Sequence, residues 1–272
     1  MYTIKITKRI WIGNKLHEDI MTTIKKYKNM KDTFKHAYVG FPKGFGGIKK
    51  AFYGSFKEFN KKHPNITLDK AYPTLLYMHG SSGLYKGDVY RKFIVEELGF
   101  IFFAPDSYKI KNRPTYQSPT SLKKYMKVHK VRTAEIHYNY KKLVKLDFVD
   151  RDNIFLMGNS EGGLATAIFE SNRFKGRIVT AFSCESSYFY KNFKLGSKKD
   201  EPFLNIIGTH DEFFAKKSSL NKKYKVKGHG IDKLKNYKNA KVVILPKAKH
   251  DLTTNIYVKD EILSFLKLWS RE

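Results

Sequence analysis

A single cysteine, Cys184, excludes an intrachain disulfide and any cysteine-based metal cluster, and a lone cysteine reads as a small buried hydrophobe. No stretch approaches the roughly 18 consecutive apolar residues of a membrane span. The first twenty residues, MYTIKITKRIWIGNKLHEDI, lack the continuous apolar centre of a secretory signal, so the expected location is cytoplasmic. Repeats, low-complexity tracts and Pro/Gly/Ser-rich linkers are missing as well, which predicts one domain over 1–272. Carboxylates are few, 25 against 53 basic residues, giving a formal charge of +28. Arginine is also scarce, 8 of those 53, and the lysines are scattered in ones and twos. Recognition of bases and phosphates favours the arginine fork and clustered charge, so a specific nucleic-acid partner is not expected.

Apolar residues make up 41% of the chain, enough for a sizeable core. From about residue 72, short apolar runs alternate with amphipathic stretches. The runs are TLLYMHG (74–80), FIFFAPD (100–106), NIFLMGN (153–159), RIVTAFS (177–183), FLNIIG (203–208) and KVVILP (241–246). Each is rich in β-branched or aromatic residues and closes on Gly, Pro, Ser, Asp or Asn, the pattern of strands buried on both faces. Helices are predicted over 89–99, 131–146 and 255–269. Such alternation means an α/β fold, a mostly parallel sheet with helices on both faces. Residues 72–270 form the expected catalytic core, and 1–70 an extension of uncertain role. Within that extension, 14–29 reads as a helix with Leu16, Ile20, Ile24 and Tyr27 on one face. HAYVGFP (36–42) reads as an early strand and 44–65 as an insertion.

Chemistry concentrates in Gly158-Asn159-Ser160-Glu161-Gly162-Gly163, a G-x-S-x-G set between a buried strand and a helix-like GLATAIFES. In that context the serine occupies a sharp turn with its hydroxyl projecting above the sheet, and the glycines let strand and helix approach closely. A serine hydroxyl needs a base to remove its proton and an acid to orient the base. Asp211 follows FLNIIG, and His250 follows KVVILP, in the serine–acid–histidine order of such folds. Glu212, expected to begin a helix, and His229, expected in a surface loop before the last strand, are the weaker rivals. Two backbone N–H groups are needed for a developing oxyanion. Glu161, next to the nucleophile, supplies one, and the turn His79-Gly80-Ser81-Ser82-Gly83 supplies the other, through Ser81 or, second, Ser82. His79 reads as structural. No metal-ligand set is visible.

These features together resemble the dienelactone hydrolase-like branch of the α/β-hydrolases over about 72–270. The resemblance rests on the HGSSG turn, FFAPDSY (102–108), Arg132 ahead of NIFLMGNSEGG, and the GTHD and AKHDL loops. It implies hydrolysis of esters or lactones with no metal or organic cofactor. Dienelactone hydrolases proper carry a cysteine nucleophile where this chain has Ser160, so the serine carboxylesterases of the branch are nearer. They also hold the substrate carboxylate with an arginine, with which Arg113 is loosely in register. Segments 107–130 and 184–201 are expected to flank the pocket mouth, with Tyr108, Tyr116, Tyr188, Phe189, Tyr190 and Phe193. Aromatic walls with a basic rim would suit a small acyl or aryl ester carrying negative charge; the alternative is that these aromatics only pack the loop onto the sheet. Two alternatives stay open: a serine peptidase of prolyl-oligopeptidase type, with Glu161 pairing a substrate amine, and a non-catalytic binding protein on the same fold. Oligomeric state is not legible.

Overall fold

The computed structural model describes residues 14–68, 70–84 and 87–270, so most of the first twenty residues lie outside it. Its strands are β1 (Tyr38–Phe41), β2 (Phe52–Ser55), β3 (Tyr72–Met78), β4 (Ile101–Ala104), β5 (Val149–Asn159), β6 (Gly176–Thr180), β7 (Phe203–Gly208) and β8 (Ala240–Leu245). They form one sheet in the order β2-β1-β4-β3-β5-β6-β7-β8. The strands from β4 across to β8 run parallel, and β1 is antiparallel to both β2 and β4. The helices are α1 (Asn14–Lys26), α2 (Lys31–Lys35), α3 (Phe56–Lys62), α4 (Asp88–Leu98), α5 (Leu122–Leu143), α6 (Glu161–Ile168), α7 (Ile231–Leu234) and α8 (Ile256–Trp269).

All six apolar runs are strands of the sheet, five of them internal and KVVILP, as β8, at its edge, and their side chains alternate between its two faces as a period of two requires. Leu75, Tyr77, Phe102, Phe155 and Met157 face one side, where Phe93 and Ile94 of α4 and Val258, Ile262 and Phe265 of α8 cover them. Leu76, Met78, Phe103, Ile154 and Leu156 face the other, under Val131, Ala134 and Ile136 of α5, Ala165 of α6 and Ile20 of α1. Gly99 ends α4 with φ of 67°, a conformation glycine adopts without a Cβ penalty. Helix α5 starts nine residues before the expected position, at Leu122, because the Ser121 side chain accepts the Lys124 N–H and caps it. Nine of the 24 residues of the expected loop 107–130 therefore belong to α5.

The N-terminal helix forms, with Ile20 buried and Ile24 and Tyr27 packed against the same core; the Leu16 side chain lies outside the described residues. Residues 44–65 are not an insertion. They supply β2, an edge of the sheet, and α3, closed by a reciprocal Ser55–Glu58 capping box. Phe41 stacks on Phe59 at 4.0 Å, and Phe45 meets Phe148 edge-on at 5.3 Å. The four-residue FYGS strand is half-buried along its whole length, so it carries neither an apolar run nor an alternation to read.

The connectivity places the site. The chain passes from β3 to β4 on one side, then crosses back through α5 to β5 on the other side of β3. Connections that diverge from two neighbouring parallel strands leave a crevice beyond their carboxyl ends. The HGSSG turn and Ser160 leave β3 and β5 at that crevice.

Candidate active site

Ser160 joins β5 to α6 with φ 54° and ψ −115°, outside the regions ordinary residues favour. Crossing glycines make the turn possible. A Cβ on Gly158 would stand 2.2 Å from the Gly162 carbonyl oxygen, and one on Gly162 would stand 2.0 Å from that of Met78. Any side chain at either position would push strand, helix and oxyanion turn apart.

Asp211 and His250 are brought to this serine by loops whose backbones interlock. The His210 N–H donates to the Ala248 carbonyl at 2.9 Å, and the Lys247 N–H to Thr209 Oγ1 at 2.8 Å. Gly208 allows the approach, since a Cβ there would meet the Ala248 carbonyl oxygen at 2.1 Å. Asp211 is buried, and its Oδ1 accepts the N–H groups of Phe213 and Phe214, each at 2.8 Å. Its Oδ2 accepts from His250 Nδ1 at 2.7 Å, and His250 Nε2 lies 2.9 Å from Ser160 Oγ. A carboxylate at Nδ1 keeps the ring proton there, which leaves Nε2 free to accept the serine proton. Asp211 thus serves as a local turn cap and as the histidine's partner at once. Glu212 begins no helix. Its Oε2 instead accepts the His250 backbone N–H at 3.0 Å, fixing the loop rather than the ring. His229 is half-buried ahead of α7, away from this chain of contacts.

The oxyanion turn runs alongside the serine, so that a Cβ on Gly80 would sit 3.4 Å from Ser160 Cβ. Ser81 and Ser82 line the same cavity as Ser160. Glu161 is the first residue of α6, where a backbone N–H has no partner within the helix. Behind the turn lies a buried ionic network. Arg132 Nη2 donates to the His79 carbonyl at 2.6 Å and Nη1 to Glu135 Oε2 at 2.5 Å, while Nε stands 3.3 Å from Glu161 Oε1. Arg113 Nη2 donates to the same Glu161 oxygen at 2.5 Å, and its Nε to Ser107 Oγ at 2.8 Å. Burial, reinforced by the Arg132 charge, holds the His79 imidazole well below its usual pKa. It is therefore neutral, with Nδ1 donating to the Gly80 carbonyl at 2.7 Å and Nε2 accepting the Ser107 N–H at 3.2 Å. Burial pushes Glu135 up to about 7 despite the neighbouring Arg132 and Arg113.

Several sequence expectations change here. Arg113 does not line the cavity; its guanidinium is committed to Glu161, Ser107 and the Pro114 carbonyl. Tyr108 lies outside the lining too, stacked on His79 with its hydroxyl donating to the Ser81 carbonyl. The Glu161 carboxylate is fully buried between two arginines and is not placed to meet a substrate amine. Tyr188 does line the cavity, with Tyr77, Tyr116, Phe189, Phe213 and Phe214, whereas Tyr190 faces a separate cleft. The cavity measures about 400 Å³, and among the described residues no lysine or arginine lines it, so the basic rim is not found. Residues that sequence reasoning passed over are Glu135, three positions after Arg132 on α5, and the Phe213-Phe214 pair beside Asp211. The Arg-x-x-Glu spacing was a readable signal for the first. Among the described residues, no group of three or more His, Cys, Asp or Glu side chains could hold a metal ion. None of the described helices is long and apolar enough to cross a membrane.

No protein-family model matches the chain, and no curated protein matches it in sequence. Solved structures do resemble it. One is described as a dienelactone hydrolase from Klebsiella pneumoniae, 16% identical, with TM-score 0.53 over 74% of this chain and 89% of that one. A cold-adapted esterase from an Arctic intertidal metagenomic library is 13% identical, with TM-score 0.51 over 74% of this chain and 84% of that one. This chain has the α/β-hydrolase fold. An acylaminoacyl peptidase aligns as well, 16% identical with TM-score 0.54, across 76% of this chain but 39% of the peptidase.

Proposed function

We propose that the chain is a serine hydrolase that cleaves carboxylic esters or lactones, a serine member of the dienelactone hydrolase-like branch. The observation that carries this reading is the continuous Asp211–His250–Ser160 hydrogen-bond chain, at 2.7 and 2.9 Å, opening on a cavity beside the oxyanion turn. In the first half-reaction Ser160 Oγ attacks the substrate carbonyl while His250 Nε2 takes its proton, and Asp211 stabilises the imidazolium. The oxyanion is held by the N–H groups of Ser81 and Glu161. Collapse expels the alcohol, which takes the proton from His250, and leaves an acyl group on Ser160. Water, deprotonated by His250, releases the acid. The charges behind the turn fix its backbone, so the donors are aimed before substrate arrives.

Ester cleavage is preferred over amide cleavage because Glu161, the acid next to the nucleophile in the chain, is held by two arginines and gives a substrate amine no partner. A non-catalytic binding role would require none of the three aligned side chains. Ser160→Ala is the test. It should lower turnover of a 4-nitrophenyl ester by about 10⁴-fold or more with the fold intact. Near-native turnover in that variant would refute the proposal.

A further inference from the structure

The cavity has two chemically different ends relative to the Ser160–His250 pair. His250 must hand its proton to the departing alcohol, so the groups packed around its ring border the alcohol side. Those are Phe213 and Phe214, whose rings lie 4.7 and 5.8 Å from the imidazole; Asp251 and Thr253, next to His250 in the chain, also line the cavity. The remaining wall is left for the acyl group: Tyr116, Ser118, Tyr188 and Phe189.

That wall is a braced aromatic box. Tyr116 meets Phe189 at 5.6 Å, Phe189 meets Phe214 edge-on at 5.5 Å, and Tyr188 stacks on Phe214 at 6.0 Å. Buried Tyr125 backs it, with its ring 4.7 Å from Phe189 and 5.0 Å from Tyr116. A wall of aromatic side chains suits another ring, which gains offset and edge-on contacts that an alkyl chain does not. Burial raises the pKa of both Tyr116 and Tyr188, so their phenols stay neutral. No described lysine or arginine lines the cavity to compensate a carboxylate. Size sets the last limit. One benzene ring needs about 150 Å³, so about 400 Å³ accommodates a ring, the ester and a small alcohol.

We propose that the substrate is a neutral ester of a single-ring arylalkanoic acid, with the ring held by Tyr116, Tyr188 and Phe189. This rests on the serine-hydrolase reading above and goes beyond it, because both a dicarboxylic half-ester and a fatty-acyl ester would fit that reading equally well. It also runs against the chain's charge: +28 draws anions to the molecule, while no described lysine or arginine lines the cavity.

The experiment compares 4-nitrophenyl esters that share one leaving group: butanoate, octanoate, 3-phenylpropanoate and the monosuccinate. Each kcat/KM is divided by the ester's own hydroxide rate constant. The 3-phenylpropanoate should exceed butanoate by about 10-fold, from one or two aromatic pairs, and the monosuccinate should fall below butanoate. In Phe189→Leu the phenylpropanoate-to-butanoate ratio should shrink severalfold, a ratio that does not depend on how much of the variant is folded. Octanoate or monosuccinate outpacing 3-phenylpropanoate, or a ratio unmoved by Phe189→Leu, would overturn the proposal. Labelling the same preparation with a fluorophosphonate separates the two levels. Ser160 labelled but aliphatic esters preferred defeats the aryl assignment alone, whereas Ser160 unlabelled defeats the hydrolase reading and the aryl assignment with it.

Discussion

Two buried carboxylates flank the same serine turn, and they are held in opposite ways. Asp211 sits among backbone N–H groups and one imidazole, with no lysine or arginine among its hydrogen-bond partners. Glu161 sits between the guanidinium groups of Arg113 and Arg132, with Glu135 beyond them. The first arrangement orients a ring that must gain and lose a proton, a task that a nearby fixed cation would hinder by disfavouring the imidazolium. The second locks a loop that must not move, and full charges at close range in a dry interior do that strongly. Carboxylates within a few residues of one nucleophile can therefore divide into a chemical partner and a structural clamp, according to what surrounds them.

The comparison can be broken by mutation, and the largest effect is expected on the Asp211 side. In Asp211→Asn the side-chain carbonyl can still accept the Phe213 and Phe214 N–H groups, while the amide presents a donor to His250 Nδ1. That reverses the ring tautomer and should cost about 10⁴-fold in kcat with little change in denaturant midpoint. On the clamp side, Glu161→Ala takes the shared carboxylate from two buried guanidinium groups, of which Arg132 keeps Glu135, and should lower unfolding free energy by about 3–5 kcal/mol, measured by urea titration. Its folded fraction should lose far less turnover than Asp211→Asn. A stable Glu161→Ala protein with turnover as low as Asp211→Asn would show that the two carboxylates share a role after all.

The smallest effect concerns Glu135. Its carboxyl pKa is raised in the fold, mainly by burial, to about 7. The folded protein then holds that proton over a range where the unfolded chain has released it. Stability from this group is present below the unfolded carboxylate pKa and is lost as pH rises toward 7. Glu135→Gln should flatten the fall in Tm between about pH 5 and 7.5, the window bounded by ordinary and raised carboxylate pKa values. An unchanged slope would place the titration elsewhere in the network.

The contrast also explains what was legible in the sequence. The central strands were readable because each is an apolar run closed by a turn residue. The positions of Ser160, Asp211 and His250 were readable because each follows such a run. Edge strand β2 was not, since four half-buried residues flanked by lysines carry no pattern. The clamp was only partly readable: Arg132 stood out within the resemblance, but Arg113 was assigned to a substrate carboxylate and Glu135 was passed over. Sequence order says which strand end a residue occupies, whereas the pairing of charges across α5, α6 and the 107–114 segment depends on how the layers stack. The inward turn of Arg113 was illegible for the same reason, as was the folding of nine of the 24 residues of segment 107–130 into α5.

The central claim is that Ser160, activated by His250, forms the covalent intermediate. Fluorophosphonate labelling followed over time, with the adduct mapped by peptide mass spectrometry and residual esterase activity measured in parallel, tests it most directly. The account predicts one adduct, on the peptide at Ser160, with activity falling in proportion to the fraction labelled. An adduct on any other serine that abolishes activity, or full activity with Ser160 completely labelled, would contradict it.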